Sequence, residues 1–145
     1  MNGKVLVAGI GNIFLGDDAF GVEVAQRLAA RPLPEGVKVV DFGIRSYDLA
    51  YALMNDWDLV ILVDVYHEFS RPQRMLDRIH DALKPDGRLI LLEFRKEDSS
   101  VPIRPEHKMS VAEAKLELEA EGYSLSQVNE SLPRQHILVF TKRGL

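Results

Sequence analysis

Cysteine is absent from the 145-residue chain, which excludes disulfide bonds and thiol chemistry. Long apolar runs are absent too, and without a stretch of about 18 apolar residues we expect no membrane-spanning helix and no membrane partner. The first four residues lead straight into a strand-like run and lack the layout of a signal peptide. These features predict a cytoplasmic protein.

An excess of basic residues is also missing. The chain carries 18 Lys and Arg against 22 Asp and Glu, for a net charge of −4, and proteins that bind nucleic acid usually show the opposite balance. We therefore expect no nucleic-acid partner. The hydrophobic fraction of 46% and the length are those of one globular domain over residues 1–145.

Short apolar runs alternate with segments of helical periodicity. Strands are predicted over 4–8, 37–41, 58–64 and 88–94, with a closing antiparallel pair over 123–130 and 135–141. Helices are predicted from Phe20, around Leu49–Leu53, and after Ser70 and Ser110, where Gln73 and Glu113 complete the spacing of capping boxes. A polar loop is expected over 95–109. This alternation favours a three-layer αβα sandwich, Rossmann-like or flavodoxin-like, with a mostly parallel sheet of about six strands.

The first βα unit carries a distinctive motif. Residues 5–22 read VLVAGIGNIFLGDDAFGV, and Val39–Gly43 reads VVDFG. This pattern resembles the hydrogenase maturation proteases, nickel-recognising endopeptidases that trim the large subunit of [NiFe] hydrogenases. The resemblance implies that Asp18 and Asp64 bind a nickel-like divalent metal. It implies the hydrogenase large subunit as a partner only if the peptidase function survives.

The remainder of the chain is similar to a different family. Residues 63–69 read VDVYHEF, residues 82–93 read ALKPDGRLILLE, and the chain closes with a Gly-Tyr pair and an apolar strand over 135–140. From about residue 58 these features resemble the second half of a class I S-adenosylmethionine-dependent methyltransferase. The resemblance implies the strand order 2-1-3-4-6-5, with the last strand antiparallel.

Both families end a strand with an apolar run and an Asp, which places the junction between Asn55 and Asp64. Our leading hypothesis is an engineered chimera of a protease-like fragment, residues 1–57, and a methyltransferase-like fragment, residues 58–145. Each fragment lacks the half that would complete its site, and a fold carries no function without a site. This hypothesis therefore predicts no evolved catalytic activity and implies no partner.

The second hypothesis is a metal-binding protein with a vestigial peptidase site. In a sheet that begins 2-1-3, Asp18 and Asp64 follow neighbouring strands and meet at one crevice. His107, in the loop after the fourth strand, is the candidate third ligand, since two carboxylates and an imidazole suit a divalent transition metal. A solvated loop histidine is the alternative, and His67 is a second candidate.

The third hypothesis is an S-adenosylmethionine-binding methyltransferase. Asp41 ends the second strand, where a carboxylate would bind the cofactor ribose. However, the turn Gly9–Phe14 reads GIGNIF and has bulky residues where a third glycine would sit, so the phosphate- or cofactor-binding signature is incomplete. The sequence alone therefore ranks this cofactor last.

Overall fold

The computed structural model describes residues 3–10, 20–43, 56–69 and 71–143. Seven strands in these residues form one sheet. They are β1 (Val5–Ile10), β2 (Val37–Gly43), β3 (Trp57–Val63), β4 (Leu83–Arg95), β5 (Lys108–Met109), β6 (Tyr123–Asn129) and β7 (Gln135–Lys142). Apart from the start of β4 and the short β5, these bounds lie within two residues of the predicted ones.

The strands lie in the order β2-β1-β3-β4-β7-β6, and β5 pairs with β4 off this path. β1, β2, β3 and β4 are parallel, whereas β7 is antiparallel to both β4 and β6. Without the two-residue β5, this order is 2-1-3-4-6-5. The predicted three-layer sandwich with a mostly parallel sheet is confirmed.

The core follows from the apolar composition of the central strands. Leu6 of β1, Leu62 of β3, and Leu89 and Leu91 of β4 are at most 1% exposed. Each fully buried leucine contributes about 1.5–3 kcal/mol relative to an exposed one. Strands covered on both faces need such continuous apolar runs, which explains why β1, β3 and β4 occupy the middle of the sheet.

Within the described residues, three α-helices flank the sheet: α1 (Phe20–Ala29), α2 (Pro72–Ala82) and α3 (Val111–Glu119). The capping box of α3 is confirmed, because Glu113 N–H donates to Ser110 Oγ at 3.0 Å and Ser110 N–H donates to Glu113 Oε2 at 3.3 Å. No described helix is long and apolar enough to cross a membrane. The helix predicted around Leu49–Leu53 lies outside the described residues.

The helix α2 begins at Pro72 and ends at Ala82. The N-cap of α2 is Arg71, which makes no side-chain cap bond, and Pro72 occupies the first turn, where a missing N–H is harmless. The predicted capping box joins Ser70 to Gln73; Ser70 lies outside the described residues, so this capping box stays a prediction. At the other end, Leu83 leaves the helix and pairs with Trp57, before residues 84–87 bulge away and pairing resumes at Arg88. Strand pairing thus overrides helical periodicity at Leu83.

The segment after β4 is more ordered than the predicted loop. A 3-10 helix over Pro105–His107 leads into β5, which pairs Lys108 with Phe94 and Met109 with Arg95. This short parallel pairing fastens the segment beside the carboxyl end of β4, and it thereby determines where His107 lies.

Candidate functional site

Two carboxylates meet where β3 and β4 end. Val63 and Leu92 are register partners on these parallel strands, so the next residues, Asp64 and Glu93, emerge side by side. The Asp64 N–H donates to the Leu92 carbonyl at 2.7 Å, which fastens the two strand ends together. Asp64 has a φ of 54°, a conformation that residues other than glycine seldom adopt. The chain turns sharply there.

That turn leads into a 3-10 helix over Tyr66–Glu68, which brings His67 back over the strand ends. The His67 backbone N–H donates to Glu93 Oε1 at 3.3 Å, and its ring Nδ1 donates to Glu93 Oε2 at 3.1 Å. The same Nδ1 lies 3.6 Å from Asp64 Oδ1. We call Asp64, His67 and Glu93 the buried cluster.

The buried cluster is shielded from water. Asp64 is 1% exposed and Glu93 is fully buried, while the His67 side chain is 8% exposed. One ligand atom from each residue lies within 4.8 Å of the others. Burying carboxylates is costly unless charge and hydrogen bonds compensate them, so this grouping has the character of a functional site.

His107 lies beside the buried cluster. Its ring centroid is 5.3 Å from that of His67, with the planes inclined by 68°, and the residue is only 8% exposed. The alternative of a solvated loop histidine is therefore wrong. A metal-binding role for His107 stays a prediction. Of the other predicted site residues, Asp18 lies outside the described residues, and Asp41 lies on β2 opposite Gly9.

A second group of charged residues lies next to the first. His136 on β7 is the register partner of Glu93 and is 1% exposed. Its Nδ1 is 2.6 Å from Glu130 Oε1, and its Nε2 is 2.9 Å from Glu97 Oε1. Both ring nitrogens thus lie within hydrogen-bond distance of carboxylate oxygens. We call Glu97, Glu130 and His136 the rim cluster.

Glu97 of the rim cluster is held by hydrogen bonds. Burial acts to raise the pKa of this carboxyl, but the Val111 N–H, at 2.9 Å from Oε2, and His136 outweigh that effect, so the pKa lies below its ordinary value. Glu97 therefore stays ionised in mildly acidic solution. It also ties the segment after β4 to the start of α3.

Tyr66, next to His67, serves as a hydrogen-bond donor. Its hydroxyl donates to Glu117 Oε2 at 2.8 Å, and burial, followed by that carboxylate, raises the pKa of Tyr66 well above its ordinary value. Tyr66 is thus no candidate base. It also lines a pocket of about 260 Å³ between α2 and α3, together with Leu76 and Leu116.

Glu93 is the site residue that the sequence analysis missed, and His67 was only a second candidate there. A signal for Glu93 existed: it is a single acid between Leu92 and Phe94, near the end of an apolar strand. Asp64 was recognised from the same kind of position. An acidic residue at the end of a buried apolar strand is thus a candidate site residue on every strand of the sheet.

A sequence profile described as "Methyltransferase domain" matches residues 15–91, more than half of the chain. The chain therefore belongs to the methyltransferase domain family. The matched region runs through the junction predicted between Asn55 and Asp64. The methyltransferase likeness thus begins well before residue 58, where the sequence analysis had placed its start.

Solved methyltransferases share this fold. An S-adenosylmethionine-dependent methyltransferase from Aquifex aeolicus has a TM-score of 0.66 and 19% identity, and the alignment covers 97% of this chain and 82% of that one. Magnesium protoporphyrin IX methyltransferase from Synechocystis, with bound S-adenosylmethionine, has a TM-score of 0.54 and 16% identity, with 97% and 70% covered. These likenesses concern the fold alone.

Two curated proteins are similar to part of the chain. A protein of Methanocaldococcus jannaschii named as a hydrogenase maturation protease is 39% identical over 61 residues, which cover 41% of this chain and 40% of that protein. Hydrogenase 2 maturation protease of Escherichia coli is 32% identical over 74 residues, covering 50% and 45%. The chain thus spans less than half the length of either protease.

Proposed function

We propose that the chain binds S-adenosylmethionine at the carboxyl ends of β1 and β2 and transfers its methyl group to a small acceptor. Membership of the methyltransferase domain family is the observation that carries this proposal. It favours the hypothesis that the sequence alone ranked last, and it gives no support to an inactive chimera.

The sheet supports a site at this edge. In the order β2-β1-β3, the chain crosses over between β1 and β3, and ligands of such sheets bind outside the carboxyl ends at this point. Asp41 is the register partner of Gly9, so it lies on β2 beside the carboxyl end of β1. A carboxylate at this position suits the ribose hydroxyls of a nucleoside cofactor.

The chemistry requires a cofactor and an acceptor side by side. The sulfonium–methyl bond breaks as the acceptor–methyl bond forms, the sulfur keeps the electron pair, and an oxygen or nitrogen acceptor loses a proton. The buried cluster lies at the ends of β3 and β4, one strand away from β1. We propose that the acceptor binds at this edge of the sheet, next to the buried cluster, where polar groups can position its nucleophilic atom.

Calorimetry with S-adenosylhomocysteine tests the proposal. The full chain should bind this product at micromolar concentration, and Asp41→Asn should weaken binding by about 10- to 100-fold, the value of a hydrogen bond to a charged group. Asp56→Asn, at an exposed position before β3, should leave the affinity unchanged. An absence of heat with the unmodified chain would refute the proposal.

A peptidase-like metal protein is the second candidate function, favoured by the partial identity to two hydrogenase maturation proteases. Its nickel-like ion would be bound by Asp18 and Asp64, with His107 as the third ligand, and its partner would be a hydrogenase large subunit. Nickel titration of Asp18→Ala tests it, because equal heats for this variant and the unmodified chain would remove Asp18 from any metal site.

The two-fragment origin of the chain belongs with this second candidate. A protease-like fragment 1–57 joined to a methyltransferase-like fragment 58–145 would account for both kinds of relative. A natural chain that matches the whole sequence across residues 55–64 would contradict this origin.

A further inference from the structure

We propose that Asp64, His67 and Glu93 form a binding site for one divalent transition-metal ion, with zinc as the representative. This site differs from the pair Asp18 and Asp64 implied by the protease resemblance. It requires no cofactor, so it stands independently of the proposed methyl transfer.

The donor separations fit a coordinated ion. His67 Nδ1 lies 3.1 Å from Glu93 Oε2 and 3.6 Å from Asp64 Oδ1. A four-coordinate zinc ion with bonds of about 2.1 Å separates neighbouring ligand atoms by about 3.4 Å. These two separations differ from the zinc value by only a few tenths of an ångström, about the scale on which side chains adjust within one rotamer. All three donor atoms lie within 4.8 Å of one another.

The donor set also selects the class of ion. Two carboxylates and one imidazole combine oxygen ligands with a nitrogen ligand, which suits zinc, nickel, iron or manganese better than magnesium or calcium. Three protein ligands leave a coordination position open, as in catalytic rather than structural zinc sites. The ring centroid of His107 lies 5.3 Å from that of His67, next to these ligands.

The fold holds the three ligand residues in place before an ion binds. The register pair Val63–Leu92 and the 2.7 Å bond from the Asp64 N–H hold the two strand ends together. The backbone N–H of His67 bonds to the far oxygen of Glu93, which orients the near oxygen toward Nδ1. An ion would bind donors that are already in place, so little ordering is required on binding.

Zinc titration by calorimetry, on the full chain after dialysis against EDTA, tests this site. We expect one ion per chain, and a loss of affinity of at least about 100-fold in Glu93→Gln, because removal of even a supporting partner of a ligand costs 10- to 100-fold. Glu97→Gln is the matched control in the rim cluster and should bind like the unmodified chain. Circular dichroism checks that each variant folds.

Two further variants keep the test decisive. If Glu93→Gln does not fold, His67→Gln takes its place with the same expected loss. Asp18→Asn should retain zinc affinity, and Co²⁺ substituted for zinc should give a visible absorption band that His67→Gln abolishes. Equal zinc affinity in Glu93→Gln and the unmodified chain would overturn the proposal, as would a loss in Asp18→Asn with none in Glu93→Gln.

Discussion

The buried cluster and the rim cluster have the same composition and opposite surroundings. Each joins one histidine to two carboxylates, and Glu93 of the first pairs in register with His136 of the second. The carboxylates of the buried cluster are about 1% exposed, whereas those of the rim cluster are 46% exposed. Water stabilises the carboxylates of the rim cluster. The carboxylates of the buried cluster must instead be stabilised by groups inside the protein.

This difference explains why we assign different roles to the two histidines. His136 is surrounded by partners that make it a structural link between β7, the end of β4 and the start of α3. His67 faces two desolvated carboxylates near the edge of the sheet where cofactors and substrates bind in such folds. Residue composition alone would not separate them, but burial does.

The largest expected effect is on thermal stability in the presence of zinc. At 100 times its dissociation constant, zinc should stabilise the chain by about 2.7 kcal/mol, and thus raise the Tm by roughly 5–11 °C for a protein of this size. Glu97→Gln should show the same rise and Glu93→Gln none. A differential scanning measurement with and without EDTA decides this, and an equal rise in both variants would erase the contrast between the clusters.

An intermediate effect on stability is expected from Arg95→Met, which removes the guanidinium that binds Glu130 of the rim cluster. The guanidinium donates to Glu130 Oε2 at 3.0 Å, to the Pro133 carbonyl at 2.9 Å and to the Leu132 carbonyl. Because hydrogen bonds of charged groups contribute about 1.5–3 kcal/mol, unfolding in urea should show a loss of about 2 kcal/mol. Exposed Arg134→Met should change stability by less than about 0.5 kcal/mol. A smaller loss in Arg95→Met would mean that the rim cluster does not depend on its cation.

The smallest expected effect is on the Tm at acidic pH. The pKa of Glu97 is lower in the folded chain than its ordinary value of 4.5, so its contribution is fully present above that value and fades as pH falls through the folded pKa. Glu97→Gln should therefore flatten the decline of the Tm below about pH 4.5, relative to exposed Glu106→Gln. The scans belong in EDTA, so that metal binding does not contribute. Parallel curves for the two variants would contradict the assignment.

Much of the architecture could be predicted from local patterns. The apolar runs of β1, β3 and β4 and the capping box at Ser110 have physical causes within a few residues of sequence. Leu83 shows where such patterns stop: its spacing continues the apolar face of α2, yet it pairs with Trp57 in the sheet. At Leu83, pairing with a distant strand therefore outweighs the local preference for helix.

The candidate site also contains residues that local patterns predict and residues that only long-range contacts bring together. Asp64 and His107 could be predicted from their places after strands, and His67 from its spacing to Asp64. Glu93 could not be linked to them, because its approach to His67 depends on the register between β3 and β4 and on the turn at Asp64. The position and burial of His107 depend on the two-residue strand β5, which is too short to leave a periodic signal in the sequence.

The sequence by itself determined the alternation of strands and helices, the apolar centre of the sheet, and the acids on β2 and after β3, since these depend on periodicity and on residue type. Only the tertiary structure decided which charged groups meet and how deeply they are buried. The physical reason is that strand register and burial arise from contacts between segments far apart in the chain. Those contacts give one histidine two desolvated carboxylates and leave the other with two that water can reach.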